Sequence, residues 1–182
     1  MVKNRATIVQ TIVQFTVILL FVLFLRKFVL TPVEVIGISM EPNYHETDRL
    51  WQTSLVSPKR FDVATFPSPR NGKRILKRVI GLPGDTIRME HDQLYINDKK
   101  YDEPYLDETK AALNDGAPLT ADFSLETIQV GATTKVPEGK YFVLGDNRRV
   151  ADDSRYFGFV DQESIAGVVY FRYYPLNKIG LQ

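Results

Sequence analysis

The chain has 182 residues, which is long enough for one sizeable hydrophobic core or for two small cores that share an interface. Its 23 lysine and arginine residues nearly balance 22 aspartate and glutamate residues, so neither a basic field for nucleic acid nor a solvating acidic tail is indicated. It contains no cysteine, which excludes disulfides, thiol nucleophiles and cysteine-ligated zinc and is compatible with an extracytoplasmic setting.

The two histidines offer little for catalysis or metal binding. His45 and His91 lie in polar, turn-like surroundings, "NYHETD" and "MEHDQ". Such surroundings are typical of solvated loop histidines, so a histidine-based zinc site or a Ser-His-Asp triad is not indicated. We expect no metal and no organic cofactor.

The N-terminus carries a long apolar segment. Twenty residues without charge lie between Arg5 and Arg26. As a helix they extend about 30 Å, which matches the hydrocarbon thickness of a bilayer. A cleavable signal peptide has a shorter apolar region followed by small residues, a pattern that is missing here. The sequence predicts a short N-terminus over 1–5 and a retained transmembrane anchor over 6–30, with basic residues at both ends that leave its orientation open.

Beyond the anchor, apolar residues alternate with period two between Pro, Gly, Asn and Asp residues. The sequence predicts a mostly β fold, with an antiparallel sheet or barrel-like domain over 31–182 and a hairpin that turns near His91 and Asp92. The region 102–135 is more polar and of mixed periodicity, which indicates a small inserted subdomain with one short helix or strand pair. The predicted strands are 33–39, 49–56, 61–66, 74–81, 86–90, 94–98, 140–145 and 165–174.

The stretch "GISMEPNY" places Ser39 at the end of a predicted strand, just before a turn at Pro42. A serine there can present its hydroxyl and its own N–H to a carbonyl that lies alongside the strand. Because neither histidine suits the role of base, the serine needs another one. A lysine can serve if burial lowers its pKa toward about 7–8, since only the neutral amine accepts a proton.

Lys77 in "RILKRVIGLPGD" meets that requirement. Strand alternation puts it on one face with Ile75 and Val79, which would desolvate the amine if that face is inward. On the pattern alone, an edge-strand lysine whose amine reaches water is an alternative. The stretch "LGDNRRVADDSR", 144–155, is rich in charges of both signs and alone is typical of a self-paired surface loop.

Taken together and in this order, the apolar N-terminal segment, "SMEPN", "KRVIGLPGD" and "GDNRRVADDSR" resemble the type I signal peptidases of Gram-positive bacteria. These are membrane-anchored Ser/Lys endopeptidases that remove signal peptides from exported proteins. The resemblance covers most of the chain, and the nine-residue run "KRVIGLPGD" is its most specific part. It implies that Ser39 is the nucleophile and Lys77 the general base.

Further roles are implied by the same resemblance. Asp146 is expected to pair with Arg78, and ion pairs are expected to hold the site together. The substrate is expected to bind as an added strand, with small residues one and three positions before the cut. The supporting residues, including those at the oxyanion, are Gly37, Ser39, Arg78, Asp146, Arg148, Asp153, Ser154 and Arg155. The resemblance also places Met40 next to the substrate, and the residues near the serine and the lysine that are candidates to line the pockets are Val35, Ile36, Met40, Ile75 and Leu76.

Three positions depart from the family pattern. Asn43 replaces a threonine, and Gly37 stands where many members have a serine that helps to stabilise the oxyanion. Ala151 replaces a serine whose hydroxyl orients the lysine amine, so Ser154 or a water would have to take over that role. Losing one such hydrogen bond predicts an activity lower by about ten- to thirtyfold.

The resemblance places the N-terminus in the cytoplasm and the β domain outside, near the lipid bilayer and the Sec translocation machinery, with signal peptides as partners and no nucleic acid. Two alternatives remain. A self-cleaving Ser/Lys repressor of related fold would need a DNA-binding module where the anchor lies. A non-catalytic or weakly active accessory factor in surface-protein or pilus assembly would normally lack the serine or the lysine, and Ala151 is the feature that favours it.

Overall fold

The computed structural model describes residues 2–182, with side chains from Thr7 onward. The predicted N-terminal segment 1–5 therefore lies outside the residues whose side chains are described. The first helix, α1, covers Val2–Phe24 and continues as a π-helical turn over Leu25–Val29. Within it, Thr7–Val29 is long and apolar enough to cross a membrane, and its window is not buried against the rest of the protein.

The rest of the chain consists mainly of short strands. Two further helices are α2, Asp107–Ala112, and α3, Ser154–Phe157, with 3₁₀ turns at Pro104–Leu106, Gln162–Ser164 and Leu176–Lys178. The strands are β1 Thr31–Glu34, β2 Arg49–Thr53, β3 Val63–Pro67, β4 Arg74–Gly81, β5 Ile87–Glu90, β6 Gln93–Ile96, β7 Lys99–Tyr101, β8 Phe123–Ser124, β9 Lys140–Leu144, β10 Val160–Asp161, β11 Gly167–Tyr174 and β12 Gly180–Leu181.

Eight strands form the main sheet, in the order β1-β2-β11-β3-β4-β9-β10, with β12 paired to β11. Every pairing is antiparallel. In this order, four antiparallel pairings separate β1 from β4, and an even number of changes in direction means that β1 and β4 run in the same direction. Both line one open cleft, which means that the curved sheet leaves a gap between them.

A second sheet of four strands, in the order β7-β6-β5-β8, is also antiparallel. Its central hairpin turns at His91 and Asp92, whose positive φ angles of 49° and 61° suit a tight turn. The predicted insertion 102–135 contributes α2 and β8, while the other three strands precede residue 102. The small sheet thus takes strands from both sides of that boundary.

Three apolar clusters fill the interior. One packs the small sheet against β4 and β9, and includes Ile80, Leu94 and Phe142. A second lies behind the Ser39 turn and includes Met40, Leu50 and Leu76. The third occupies the other face of β4. Both faces of β4 are therefore covered from Leu76 to Ile80, which places Lys77 and Arg78 in largely apolar surroundings, whereas Arg74 at the start of the strand is exposed.

The end of the anchor is docked directly on the main sheet. The carbonyl of Phe28 accepts hydrogen bonds from Thr53 Oγ1, at 2.8 Å, and from the Ser54 N–H, at 3.1 Å. The Tyr170 hydroxyl donates to the Val29 carbonyl at 2.9 Å. These carbonyl groups belong to the last helical turn, where carbonyl groups have no N–H donor within the helix. Since β1 begins two residues later, the anchor and the sheet are joined without a linker.

The sequence prediction of a mostly antiparallel β fold behind an apolar helix is confirmed. The predicted strand over 33–39 is wrong in its second half, because the strand ends at Glu34 and the chain turns at Gly37. The prediction for 74–81 has the bounds of the observed strand β4.

Candidate active site

Ser39 lies on a tight turn just after the extended path of β1. The Val35 N–H and carbonyl still pair with the loop before β2, and Gly37 then takes a φ of +79°, which ends the extended run. Glycine adopts this conformation without the steric cost of a Cβ. Ser39 is half-buried, and the Glu41 N–H closes the turn on the Ile38 carbonyl at 3.2 Å.

The turn that follows β9 holds the Ser39 segment. The Asn147 N–H donates to the Ser39 carbonyl at 3.1 Å, and the Asn147 side-chain amide donates to the Ile38 carbonyl, also at 3.1 Å. A Cβ on Gly145 would collide with the Ser39 carbonyl, so the two segments are in contact. One residue therefore fixes two backbone carbonyls around the serine.

Lys77 brings its amine to the Ser39 hydroxyl. Nζ lies 2.7 Å from Ser39 Oγ and 3.1 Å from the Leu76 carbonyl oxygen, and these are its hydrogen-bond partners within the described residues. Lys77 is 3% exposed, and on its face of β4 it lies between Ile75 and Val79, which belong to the third apolar cluster. The structure thus brings together the two residues that the sequence motifs single out.

Burial lowers the pKa of Lys77 from 10.5 to about 8, because the charged ammonium loses hydration in these apolar surroundings. The carboxylates of Asp153, Asp152 and Asp146 act in the opposite direction and favour the charged form. With a pKa near 8, about one amine in ten is neutral at pH 7, against roughly three in ten thousand at the ordinary pKa. An amine in these surroundings can therefore accept a proton near neutral pH far more often than a lysine in water can.

A buried ion pair braces the residue next to Lys77. Arg78 donates to Asp146 through Nε, at 2.8 Å to Oδ1, and through Nη2, at 2.6 Å to Oδ2. The Asn43 side-chain amide donates to the same Oδ2 at 2.9 Å and to the Tyr105 carbonyl at 2.9 Å. Asn43 thus connects the loop behind Ser39 to this ion pair and to the segment after β7.

Arg148 is buried completely beside this pair. Its Nη2 donates to Glu103 Oε1 at 2.5 Å and to the Tyr105 hydroxyl at 3.2 Å, while its Nη1 donates to Thr120 Oγ1 at 3.2 Å. The Tyr105 ring also lies 4.0 Å from the guanidinium of Arg78. A buried guanidinium is tolerated only when it is paired, so Glu103 is required by the position of Arg148.

Asp153 and Arg155 close the same turn from the other side. Asp153 caps α3 and accepts two bonds from the Arg155 guanidinium, at 2.8 and 2.7 Å. It also accepts from the Gly145 N–H at 3.0 Å, while Arg155 Nη2 donates to the Arg148 carbonyl at 2.7 Å. The turn after β9 is therefore held by the buried charges of Asp146, Arg148 and Asp153, while Arg149 and Asp152 are exposed.

An open cleft of about 210 Å³ lies between β1 and β4. Among the predicted pocket residues, Ile36, Ile75 and Leu76 line it, and Ile36 is 78% exposed. The residues that line it are Pro32, Val33, Glu34, Ile36, Thr65, Arg74, Ile75 and Leu76.

The structure corrects three predicted roles. Val35 and Met40, expected to line the pockets, are 3% and 1% exposed and pack in the apolar cluster behind the turn, so they present no surface to the cleft. Ser154, expected as a substitute partner for the amine, instead accepts a hydrogen bond from the Val143 N–H at 2.9 Å. Its place in the first turn of α3 directs its hydroxyl to β9.

Gly37 offers no free backbone donor for an oxyanion, because its N–H donates to the Glu46 carboxylate at 3.3 Å. The Ser39 N–H, in contrast, has no acceptor within the part of the chain that the structure describes. Among those residues no group of three or more histidine, aspartate or glutamate side chains is arranged to hold a metal ion.

Comparison with known proteins identifies the family. The family described as signal peptidase, peptidase S26, matches residues 8–174 of the chain. The chain belongs to this family. It is 46% identical over 162 residues to signal peptidase I of Bacillus caldolyticus, covering 87% of each chain. The related enzyme of Bacillus licheniformis is 42% identical over 163 residues, which cover 86% of this chain and 83% of that protein.

A solved structure agrees with this assignment. A signal peptidase I from Enterococcus faecalis V583 matches with a TM-score of 0.61 and 53% sequence identity. The match covers 63% of this chain and 98% of that chain. The repressor alternative is wrong, because the chain matches the signal peptidase family over 8–174 and has an apolar helix where a DNA-binding module would lie.

Within the signal peptidase family, the departures noted in the sequence now have locations. Ala151 is buried, its N–H donates to the Asn147 carbonyl at 2.9 Å, and its Cβ lies against Gly145. Asn43 makes two side-chain hydrogen bonds at once, which its amide can do because it carries two N–H donors. Neither contact could be read from the motifs.

Proposed function

We propose that the chain is a membrane-bound serine endopeptidase in which Ser39 is the nucleophile and Lys77 the general base, and that it cleaves N-terminal signal peptides from exported preproteins. Membership of the signal peptidase family makes it a signal-peptide-cleaving hydrolase. The observation that carries the dyad is the 2.7 Å contact between Lys77 Nζ and Ser39 Oγ, made by an amine that burial keeps partly neutral.

The first half of the reaction forms an acyl-enzyme. Neutral Lys77 accepts the Ser39 hydroxyl proton as Oγ attacks the scissile carbonyl carbon, which gives a tetrahedral intermediate. The Ser39 N–H, which has no acceptor among the described residues, is suited to stabilise the developing oxyanion. The lysine ammonium then returns its proton to the leaving amine, and the C–N bond breaks.

The second half releases the acyl group. Lys77, neutral again, accepts a proton from a water molecule that attacks the ester carbonyl. The second tetrahedral intermediate collapses, the ester bond to Ser39 breaks, and the proton returns to Oγ. The same amine thus acts as base and acid in each half, which requires a pKa near the working pH.

The open edge of β4 favours a substrate that binds as an extra strand. β9 starts to pair with β4 at Arg78, so within the described residues 74–77 have a strand neighbour on the β3 side alone. The Val79 N–H and carbonyl bond to that same side. By alternation, the N–H and carbonyl of Leu76 point to the open side, where an extended peptide can bond to them.

The same cleft accounts for selectivity. Ile36 and Ile75 present apolar surface to a strand placed between β1 and β4, whereas the Leu76 side chain is 6% exposed and packs in the apolar cluster behind the turn. We propose that this cleft, with a volume of about 210 Å³, takes small side chains, such as alanine, one and three residues before the cut. Alternate residues of a strand point to the same side, so these two substrate positions would share one wall.

For topology we propose that 6–30 span the membrane, that 1–5 lie in the cytoplasm and that 31–182 form the extracytoplasmic catalytic domain near the Sec machinery. Family membership and the apolar helix Thr7–Val29 support the anchor. The outward orientation is supported by the chemistry, since signal peptides are cut after the preprotein has crossed. Protease accessibility of the domain on intact cells, against a cytoplasmic marker, is the direct test.

The alternative is a non-catalytic or weakly active accessory factor, favoured by Ala151. Purified full-length protein is incubated with a preprotein that has alanines one and three residues before its cleavage site. We expect Ser39→Ala and Lys77→Ala each to reduce the rate by about 10³-fold or more. The exposed residues Ser57 and Lys59, replaced by alanine, are matched controls that retain full activity. Cleavage that survives either dyad substitution would refute the assignment, and no cleavage by the unmodified protein would favour the accessory factor.

A further inference from the structure

Asn147 contacts both of the peptide units that flank Ser39. Its N–H donates to the Ser39 carbonyl at 3.1 Å, and its side-chain amide donates to the Ile38 carbonyl, also at 3.1 Å. The Ile38 carbonyl has a second, local donor, the Glu41 N–H at 3.2 Å. Among the described residues, the Asn147 side chain is thus the one group from a distant part of the chain that holds the peptide unit between Ile38 and Ser39.

This peptide unit carries the N–H that is suited to stabilise the oxyanion. It is trans, and in a planar trans peptide the C=O and the N–H point in opposite directions. The direction of the Ile38 carbonyl therefore fixes the direction of the Ser39 N–H, which has no acceptor within the described part of the chain. A peptide flip, which changes ψ of Ile38 and φ of Ser39 and leaves both Cα atoms in place, would turn this N–H away from the substrate carbonyl.

Asn147 belongs to a rigid part of the site. Its chain neighbours Asp146 and Arg148 are 0% and 1% exposed, and each is held in a buried ion pair. Its own carbonyl accepts the Ala151 N–H at 2.9 Å. Ile38, in contrast, is 48% exposed. Because both neighbours of Asn147 are fixed, its amide is a fixed donor that holds the more exposed Ile38 segment in one orientation.

From these contacts we propose that Asn147 is a positioning residue for the oxyanion donor: its side-chain amide keeps the Ser39 N–H directed at the carbonyl oxygen of the scissile bond. This inference rests on the proposed function and deepens it. Asn147 makes no hydrogen bond to the Lys77 amine, whose partners among the described residues are Ser39 and Leu76. Its effect should therefore appear in the stabilisation of the tetrahedral intermediate and not in the protonation of the base.

The first test measures cleavage of a preprotein with alanines one and three residues before the cut, by the purified full-length protein. Asn147→Ala removes the side-chain donor and keeps the backbone N–H that holds the Ser39 carbonyl. We expect kcat to fall about ten- to a hundredfold, less than the loss of an oxyanion donor outright, because the Glu41 N–H still holds the Ile38 carbonyl. KM should stay within about twofold, and kcat/KM should still level off near pH 8. Asn114→Ala, which replaces an exposed asparagine, is the matched control.

Binding of a ligand that resembles the transition state separates this role from a purely structural one. With a peptidyl trifluoromethyl ketone, Ser39 Oγ forms a bond to the ketone carbon, the hydroxyl proton passes to Lys77, and the carbonyl oxygen becomes an alkoxide. We expect Asn147→Ala to weaken this adduct by the same factor as kcat/KM. The affinity for the uncleaved peptide, measured in Ser39→Ala with and without Asn147→Ala, should change less than about twofold, because the ground-state carbonyl carries less charge.

A second variant, Asn147→Asp, is measured in parallel. It keeps the size of the side chain and replaces the N–H donor by an oxygen that faces the Ile38 carbonyl. At the plateau of the pH profile, its kcat should be at least as low as that of Asn147→Ala. Urea unfolding followed by the fluorescence of Trp51 shows whether either variant has lost its fold.

The outcomes separate the role of Asn147 from the proposed function. The inference is overturned if either variant keeps full kcat, or if kcat falls while the ketone adduct stays as stable as in the unmodified protein. A loss of peptide affinity equal to the loss in kcat/KM, or a shifted pH plateau in Asn147→Ala, also overturns it, because Asn147 would then act on the ground state or on Lys77. The proposed function fails, and the inference with it, if the unmodified protein neither cleaves the preprotein nor forms the adduct at Ser39.

Discussion

Replacing Lys77 by methionine should abolish cleavage and, at neutral pH, stabilise the protein. The pKa of Lys77 is lowered from 10.5 to about 8, which corresponds to about 3 kcal/mol of unfavourable free energy for holding the ammonium in its 3% exposed position. Methionine of similar length removes this cost. It also removes the hydrogen bonds to Ser39 and Leu76, worth about 1 kcal/mol each, so the net gain is about 1–2 kcal/mol.

The difference in unfolding free energy between Lys77→Met and the unmodified protein should change sign with pH. A lysine with a lowered folded-state pKa binds fewer protons when folded than when unfolded between pH 8 and 10.5. The unfolding free energy of the unmodified protein should therefore rise over this window, while that of Lys77→Met lacks this rise. Below about pH 8 the variant should be more stable, and near pH 10.5 it should be less stable by the value of the lost hydrogen bonds.

Urea unfolding of the full chain in detergent micelles, at pH 7, 9 and 10.5, measures these free energies. The chain has a single tryptophan, Trp51, whose ring lies 5.6 Å from Phe171 and 5.2 Å from Tyr173, so its fluorescence reports on the main sheet. Ser39→Ala keeps the buried amine and should retain the slope of the unmodified protein. A variant Lys77→Met that is less stable at pH 7, with an unchanged difference at pH 10.5, would show that the amine is not desolvated.

Three further outcomes are expected. Cleavage, measured as kcat/KM, should rise about tenfold per pH unit up to about pH 8 and then level off as Lys77 becomes neutral; a fall between pH 6 and 8 would contradict the lysine base. Ala151→Ser should leave kcat unchanged or raise it, by at most about thirtyfold, and a sharp loss would show that the position is misassigned. Glu103→Gln should lower the unfolding free energy by about 3 kcal/mol, since it leaves Arg148 buried without its counter-charge, whereas Asp161→Asn in an exposed pair should change it far less.

Much of the fold could be predicted because its strands carry a strong local pattern. The bounds of β4 agree with the pattern of 74–81, and the hairpin at His91 and Asp92 follows from the turn residues. The prediction failed where one residue overrides the pattern: Gly37 ends the extended run although apolar residues continue to alternate. The two-residue strand β8 is too short to show any period.

The residues of the candidate site could be predicted only where they lie within short sequence motifs. Ser39 and Lys77 lie in dense motifs, but the partner of Arg148 is Glu103, 45 residues away, and a lone carboxylate carries no signal of burial. The roles expected of Met40 and Ser154 were wrong for a related reason. Nearness in sequence to the dyad does not say whether a side chain faces the cleft or the core, which depends on the turn and the helix that carry it.

The carbonyl oxygen of Leu76 is an acceptor for the Lys77 amine and also lies on the edge of β4 where a peptide would dock. An amide N–H of an incoming strand would compete for this oxygen, and losing it destabilises the ammonium more than the neutral amine. A substrate strand bound at the edge of β4 would therefore lower the pKa of Lys77. Substrate binding would in this way increase the fraction of the amine that is neutral and can act as the base. Its signature would be a kcat that reaches its plateau at a lower pH than kcat/KM, since the first reports the bound enzyme and the second the free one.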